Sequence, residues 1–301
     1  MEFRDIEYFA VLAQHGHVGR AAEALDLSQP ALSLSLRRLE TAMQTKLVKR
    51  TPKGVELNAT GTALLARVQR LRLAREDVLR EVADLSQGRA GHLRIGAHPG
   101  VVTFPLAPAC AELLKDAADL ELVVTAMTSG LLPALRSGEL DLIVHDAVPP
   151  QDDLVQEYLS DDAFATVVAA NHRLAGRKQV TIRDLAQERW ARAGISEQWD
   201  RFVEASLAAG NPIPRTAIKT DSQPLRHYLV ANAGLLGYMT QRMLKDVALQ
   251  YRVAEIRVKE LERVRRVHVS YRKDGYLSPA GRRLIEILKA TVKKGAADLK
   301  R

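Results

Sequence analysis

Six side chains near the amino terminus have the types and spacing that nucleic-acid contact needs: Gln29, Pro30, Ser33, Arg37, Arg50 and Lys53. A glutamine amide can bond an adenine edge, serine and arginine can hold phosphate, and a proline ring can meet a thymine methyl. Ser33 and Arg37 fall on the side of one helix opposite to Leu32, Leu36 and Leu39. Arg50 and Lys53 fall at the tip of a Pro52-Lys53-Gly54 turn, where they could reach phosphates. The plainer reading of the same residues is a solvated helix face. Arg38 is expected to pair with Glu40 or Glu56.

A second set of polar and small residues lies at expected strand ends further along. His98, Pro99, Gly100, Val101, Val102 and Thr103 fall between a strand end and a helix start. Unpaired N–H groups and the helix dipole there favour an anion or carboxylate; the alternative is a structural turn. Pro99-Gly100 permits close backbone approach to a ligand. Thr128 and Ser129 offer hydroxyls after the next strand, and His145 follows the third. Ser196, Asp221 and Ser222 occupy comparable positions later, and Gly234 with Gly237 would let a strand approach a cleft. His145-Asp146 invites a catalytic reading, but no nucleophile accompanies it, and a hinge or cleft-rim role fits better. The eight histidines show no metal-ligand spacing, and Gly234-Leu-Leu-Gly237 precedes no Lys-Ser/Thr. The expectation is no catalysis, no metal and no cofactor.

These residues need elements to position them. Residues 2–14 place Phe3, Ile6, Phe9, Ala10 and Ala13 on one helical stripe, and residues 19–26 form a second short helix. Ser28 is a suitable N-cap for a third helix reaching about Gln44, with Pro30 in its first turn, where the missing N–H costs little. That is the layout of a helix-turn-helix, whose second helix enters the major groove. Residues 47–57 read as a hairpin or wing. Asn58 or Thr60 then caps a long helix to about Gln87. Leu64, Val68, Leu71, Arg75, Val78, Val82 and Leu85 alternate by four and three along it, a period that favours pairing with another helix. The glycines at 88 and 91 suggest a hinge. From His92 onward strands and helices alternate, which argues an α/β region with a largely parallel sheet. It divides into two similar halves with a cleft between them, where ligands bind beyond the carboxyl ends of strands.

Charge is distributed in keeping with this. Net charge is +8, but residues 1–27 hold two arginines (Arg4, Arg20) against five acids. Residues 28–58 reverse the balance: Arg37, Arg38, Lys46, Lys49, Arg50 and Lys53 face only Glu40 and Glu56. The basic excess thus sits on the expected reading helix and wing, as a polyanionic partner requires. The carboxyl-terminal lysines 289, 293, 294 and 300 read as a solvated helix face. One cysteine, Cys110, excludes an intrachain disulfide and favours a reducing compartment. No signal-like run or membrane-length apolar window is present, so the expectation is a cytoplasmic protein without membrane association.

The assembled segments resemble the LysR-type transcriptional regulators over essentially the whole chain. The matching pieces are Ala21-Ala-Glu-Ala-Leu25, Ser28-Gln-Pro-Ala-Leu-Ser33, Leu36-Arg-Arg-Leu-Glu40, Leu47-Val-Lys-Arg50, Leu93-Arg-Ile-Gly96, Leu135 through Leu142, and Leu277-Ser-Pro-Ala-Gly281. The resemblance implies an all-α winged helix-turn-helix (residues 1–58) and a dimerising linker helix with hinge (59–90). It further implies a C-terminal α/β effector domain (91–301) of two Rossmann-like halves, like a periplasmic binding protein. Half I would comprise 91–161 and 268–301, and half II 162–267. Implied partners are double-stranded promoter DNA, a small effector such as a carboxylate or other anion, and further copies of the chain. The copies would form a homodimer through 60–87 and then a homotetramer. The chain departs from the family pattern at Leu34, where a basic residue is usual, and at Val48, where phenylalanine is usual. Near residue 100 the usual hydroxyl is missing, leaving Thr103 or backbone N–H groups in its place.

Overall fold

The computed structural model describes residues 2–52, 54–87 and 91–299, of which 85–87, 246 and 296–299 by backbone alone. Lys53, the 88–90 part of the expected hinge and Lys300 lie outside the described residues. Two compact units are present, Met1–Val82 and Ala83–Arg301.

In the first unit, α1 (Phe3–His15), α2 (Val18–Ala24) and α3 (Gln29–Ala42) precede a two-stranded hairpin of β1 (Val48–Thr51) and β2 (Gly54–Leu57). The long α4 (Ala59–Gln87) follows. Local chemistry sets the boundaries. Ser28 Oγ accepts from Ala31 N at 3.3 Å to start α3, and Asn58 rather than Thr60 caps α4, its Oδ1 accepting from Gly61 N at 2.8 Å. Gly54 adopts φ +136°, and a Cβ there would stand 2.2 Å from Gly16 O. Only glycine lets the hairpin come close enough for Val55 N to reach that same carbonyl at 2.8 Å. Phe9, Leu39 and Leu47 are fully enclosed, with Val68 of α4 packed into the same core. Beyond Val68 the apolar stripe of α4 is uncovered: Leu71, Val78 and Val82 are exposed, as is Leu79 beside them. Arg75, the polar member of the stripe, approaches Glu7 at 3.8 Å.

The second unit opens with β3 (Gly91–Ala97), α5 (Pro99–Val101), a π-helical turn over Val102–Leu106 and α6 (Ala107–Asp116). There follow β4 (Leu120–Ala126), α7 (Leu131–Ser137), β5 (Leu142–Asp146) and β6 (Leu154–Ala169). Next come α8 (Ile182–Ala186), β7 (Arg189–Arg192), α9 (Glu197–Ala208), β8 (Arg215–Lys219) and α10 (Gln223–Asn232). The unit closes with β9 (Gly237–Thr240), α11 (Gln241–Gln250), β10 (Val253–Ile256), β11 (Val264–Arg272) and α12 (Pro279–Leu299). The strand order is β10-β6-β11-β5-β3-β4, with β9 also paired to β6.

The sheet is not largely parallel. β4, β3 and β5 are parallel, but β11 pairs antiparallel with both β5 and β6, and β9 and β10 join β6 antiparallel. The cause is length: β6 and β11 are long strands that run through both halves and carry the sheet from one to the other. β7, α11 and β10 are additional elements that the alternation does not foretell. Each half has its own core. One gathers Leu93, Ile95, Leu106, Leu142, Val144 and Leu288; the other gathers Trp190, Trp199, Phe202 and Leu236, with Trp190 tilted 4.7 Å from the Phe202 ring. Among the described residues no helix is long and apolar enough to cross a membrane.

Candidate functional site

In the first unit, α3 has a locked face and an open one. On the locked face Ser35 Oγ and Arg38 Nη2 both donate to Asp5 Oδ1, at 2.6 and 2.7 Å. Arg38 therefore pairs with Asp5 of α1, not with Glu40 or Glu56. Burial pushes the Asp5 carboxyl upward, but the bonds from Arg38, Ser35 and the Glu2 N–H outweigh it and hold it down at about 2. Glu40 is also buried and accepts from Leu47 N at 2.9 Å and Lys46 Nζ at 2.7 Å, which ties α3 to the start of the hairpin. On the open face Gln29, Pro30 and Arg37 are exposed, Ser33 is half-buried, and Leu34 stands out beside them. Arg50 is exposed on β1.

The second unit contains a cavity of about 390 Å³ between its halves. Of the residues expected there, His98, Pro99, Gly100, Thr128, Ser129, His145, Ser196 and Asp221 line it. Val102, Thr103 and Ser222 line an adjoining depression that shares Thr128, Ser129 and Asp221. Val101 is fully buried, and Gly234, in a left-handed turn ahead of β9, lines neither.

Several of these groups already have internal work. His98 Nδ1 accepts from Gly100 N at 3.2 Å, Ser196 Oγ from Trp199 N at 3.2 Å, and Ser222 Oγ from Leu225 N at 3.4 Å. Each caps a helix start. His145 Nε2 meets Ser270 Oγ at 2.8 Å. Burial lowers the pKa of both His98 and His145, so both tend to stay neutral.

The cavity also holds residues that sequence reasoning missed. Arg265, 3% exposed, donates to Gly100 O at 2.6 Å, Asp162 Oδ2 at 3.0 Å and Asp146 Oδ1 at 3.2 Å. A Cβ on Gly100 would stand 2.6 Å from Arg265 Nη1, so a larger residue there would have to displace the guanidinium. Gln223, with its amide turned to suit its neighbours, donates to Pro99 O at 3.3 Å and accepts from Gly100 N at 3.2 Å. Arg226 and His227 of α10 reach the same wall, and Tyr238 and Gln198 bring a buried hydroxyl and a buried amide oxygen without a hydrogen-bond partner among the described residues. Arg226 is the one of these with a sequence signal, since it lies one helical turn beyond Ser222, already a candidate. The rest of the lining includes Leu131, Leu132, Pro133, Ile195 and Met243, so the cavity combines polar and apolar lining.

Residues 3–62 match the model of the bacterial regulatory helix-turn-helix protein, lysR family. Residues 86–293 match the LysR substrate binding domain. The chain belongs to the LysR family. One LysR-type relative, the hydrogen peroxide-inducible genes activator of Pectobacterium carotovorum subsp. carotovorum, is 34% identical over 192 residues, covering 63% of each chain. The chain thus spans less than two thirds of that curated relative. The SDS degradation transcriptional activation protein of Pseudomonas sp. (strain ATCC 19151) is 30% identical over 241 residues, 78% of each chain. Among solved LysR structures, a full-length OxyR variant from Pseudomonas aeruginosa superposes with a TM-score of 0.61 at 22% identity, covering 97% of this chain and 95% of that one. Full-length CbnR in complex with its target DNA gives a TM-score of 0.61 at 19% identity, covering 97% and 100%. At these identities the two structures establish the LysR fold: helix-turn-helix, long helix and two-lobed α/β unit.

Proposed function

We propose that this protein is a cytoplasmic DNA-binding transcription regulator whose promoter occupancy is set by a small anionic metabolite held in the cavity of its α/β unit. The observation that carries the reading is the division of α3. Asp5, Ser35 and Arg38 fix one face against α1, and Gln29, Pro30 and Arg37 present the other to solvent. A helix held rigidly on one side and polar on the other is what base-edge contact in the major groove needs. CbnR, whose fold is shared, is solved on its target DNA. In this reading residues 1–58 bind DNA, 59–90 pair two copies and 91–301 take the effector. Arg50 and Lys53 meet phosphate, and the uncovered apolar stripe of α4 forms the dimer. Pairs of dimers then make a tetramer.

The Pectobacterium relative is a hydrogen peroxide-inducible genes activator. Here Cys110 is the one cysteine of the sequence, and burial pushes its thiol pKa up. A disulfide within the chain is excluded and the thiol is a poor nucleophile, which favours sensing by ligand binding. Closure of the cavity on a ligand would shift the population of promoter-bound conformations. The test is selection of bound sequences from a random duplex pool by the full chain, followed by footprinting. A dyad-symmetric footprint weakened by Arg37→Ala supports the reading; absence of any sequence-selective footprint overturns it.

A further inference from the structure

Among the described residues four guanidinium groups line the cavity, and their partners differ. Arg265 lies between Asp146 and Asp162, and Arg263 pairs with Glu197. Arg192 leans on neutral groups: its Nε donates to Thr216 Oγ1 at 3.1 Å, its Nη1 to the carbonyls of Ala193 and Gly194 at 3.2 and 3.4 Å, and it lies 5.2 Å from the Trp199 ring centre. Arg226 donates once, from Nη1 to Thr220 O at 2.6 Å. Among the described residues no carboxylate forms an ion pair with it. Asp221, whose charge acts on it, accepts from Gly194 N at 2.8 Å and Thr128 Oγ1 at 3.3 Å.

Arg226 therefore brings a partly buried positive charge to the cavity wall with most of its five donors uncommitted. Burial lowers its pKa, and Asp221 only partly offsets this. A buried charge short of partners is costly, and a bidentate carboxylate is the acceptor that best matches a guanidinium fork. Leu131, Leu132, Pro133, Ile195 and Met243 line the same cavity. Resting on the ligand-binding reading above, we propose that Arg226 is the specificity-determining residue of the cavity. It takes the carboxylate of a small organic acid whose apolar body packs on this leucine, proline, isoleucine and methionine lining.

The test measures thermal shifts of the full chain with acid and amide pairs: benzoate and benzamide, phenylacetate and phenylacetamide, 3-methylbutanoate and its amide. At least one acid should raise the melting temperature by about 2 °C or more at saturating concentration, with its amide well below it. Arg226→Gln should remove that difference and weaken the acid at least ten-fold by titration, and Arg226→Lys should retain part of it. Without ligand, Arg226→Gln should melt within about a degree of the parent, because it removes an unpaired charge. Equal shifts for every acid and amide pair, or an undiminished acid shift in Arg226→Gln, would overturn the proposal. Footprinting of the parent chain separates this from the regulator reading: absence of a sequence-selective footprint would sink that reading alone.

Discussion

Thr128 and Asp221 stand 93 positions apart and meet across the cavity, the Thr128 hydroxyl donating to Asp221 Oδ2 at 3.3 Å. Asp221 is held from its own side by Gly194 N at 2.8 Å, and Gln223 two positions on reaches Pro99 and Gly100. Two polar links thus join the α5 side of the cavity to the start of α10. A double-mutant cycle of Thr128→Ala and Asp221→Ala should give a coupling of about 0.5–1 kcal/mol in urea denaturation. Strict additivity would show that the two side chains do not interact in solution.

The Asp5 cluster makes a sharper stability prediction. Asp5→Ala strands the Ser35 hydroxyl and the Arg38 guanidinium, and should cost about 2 kcal/mol. Arg38→Ala should cost less, since that side chain is 47% exposed and its pair is partly screened. The Asp5 carboxyl is lowered from 3.8 to about 2 on folding. Its contribution is complete above the unfolded value and is lost as pH falls from near 4 through about 2. Acid titration of stability should therefore lose this component in Asp5→Asn and keep it in Arg50→Ala.

His227 acts at milder pH. Burial first, and Arg226 second, lower its pKa from 6.5 to about 4. The unfolded chain takes up a proton that the folded chain refuses, so stability should fall as pH drops from 6.5 toward 4 and level off above 6.5. His227→Gln should flatten that limb. NMR titration of the His227 ring should show a midpoint near 4; a midpoint near 6.5 would refute the buried environment.

For DNA, Arg50→Ala should weaken binding about equally to all sequences and lower the salt slope by roughly one. Gln29→Ala should instead relax preference at one base pair by about 1–3 kcal/mol. Competitive binding of single-substitution duplexes at two salt concentrations separates the two. If Arg50→Ala altered base preference with an unchanged slope, its assignment to phosphate would be wrong.

The stripe on α4 predicts an assembly defect. Val78 and Val82 are 58% and 57% exposed in one copy, which suits a helix covered by a partner. Val78→Asp should shift sedimentation of the full chain toward the monomer at micromolar concentration. An unchanged sedimentation coefficient would place the dimer contact elsewhere.

The sequence by itself determined whatever depends on near neighbours. Ser28 and Pro30 start α3 through cap and ring chemistry, Leu32 and Leu39 point it inward by helical period, and strand–helix alternation announces the α/β unit. The clustering of His98, Thr128 and His145 was also legible, because β3, β4 and β5 are parallel and their carboxyl ends share one edge. What only the tertiary structure decided are pairings between residues far apart in the chain. Arg38 had acids close by in sequence, yet it finds Asp5, 33 positions away, because α1 packs across α3. Arg265 gains its partners only because β11 runs antiparallel between β5 and β6 and carries it to Asp146 and Asp162. Periodicity fixes which face of an element is buried, but the partner of a buried charge is set by which elements the chain brings side by side.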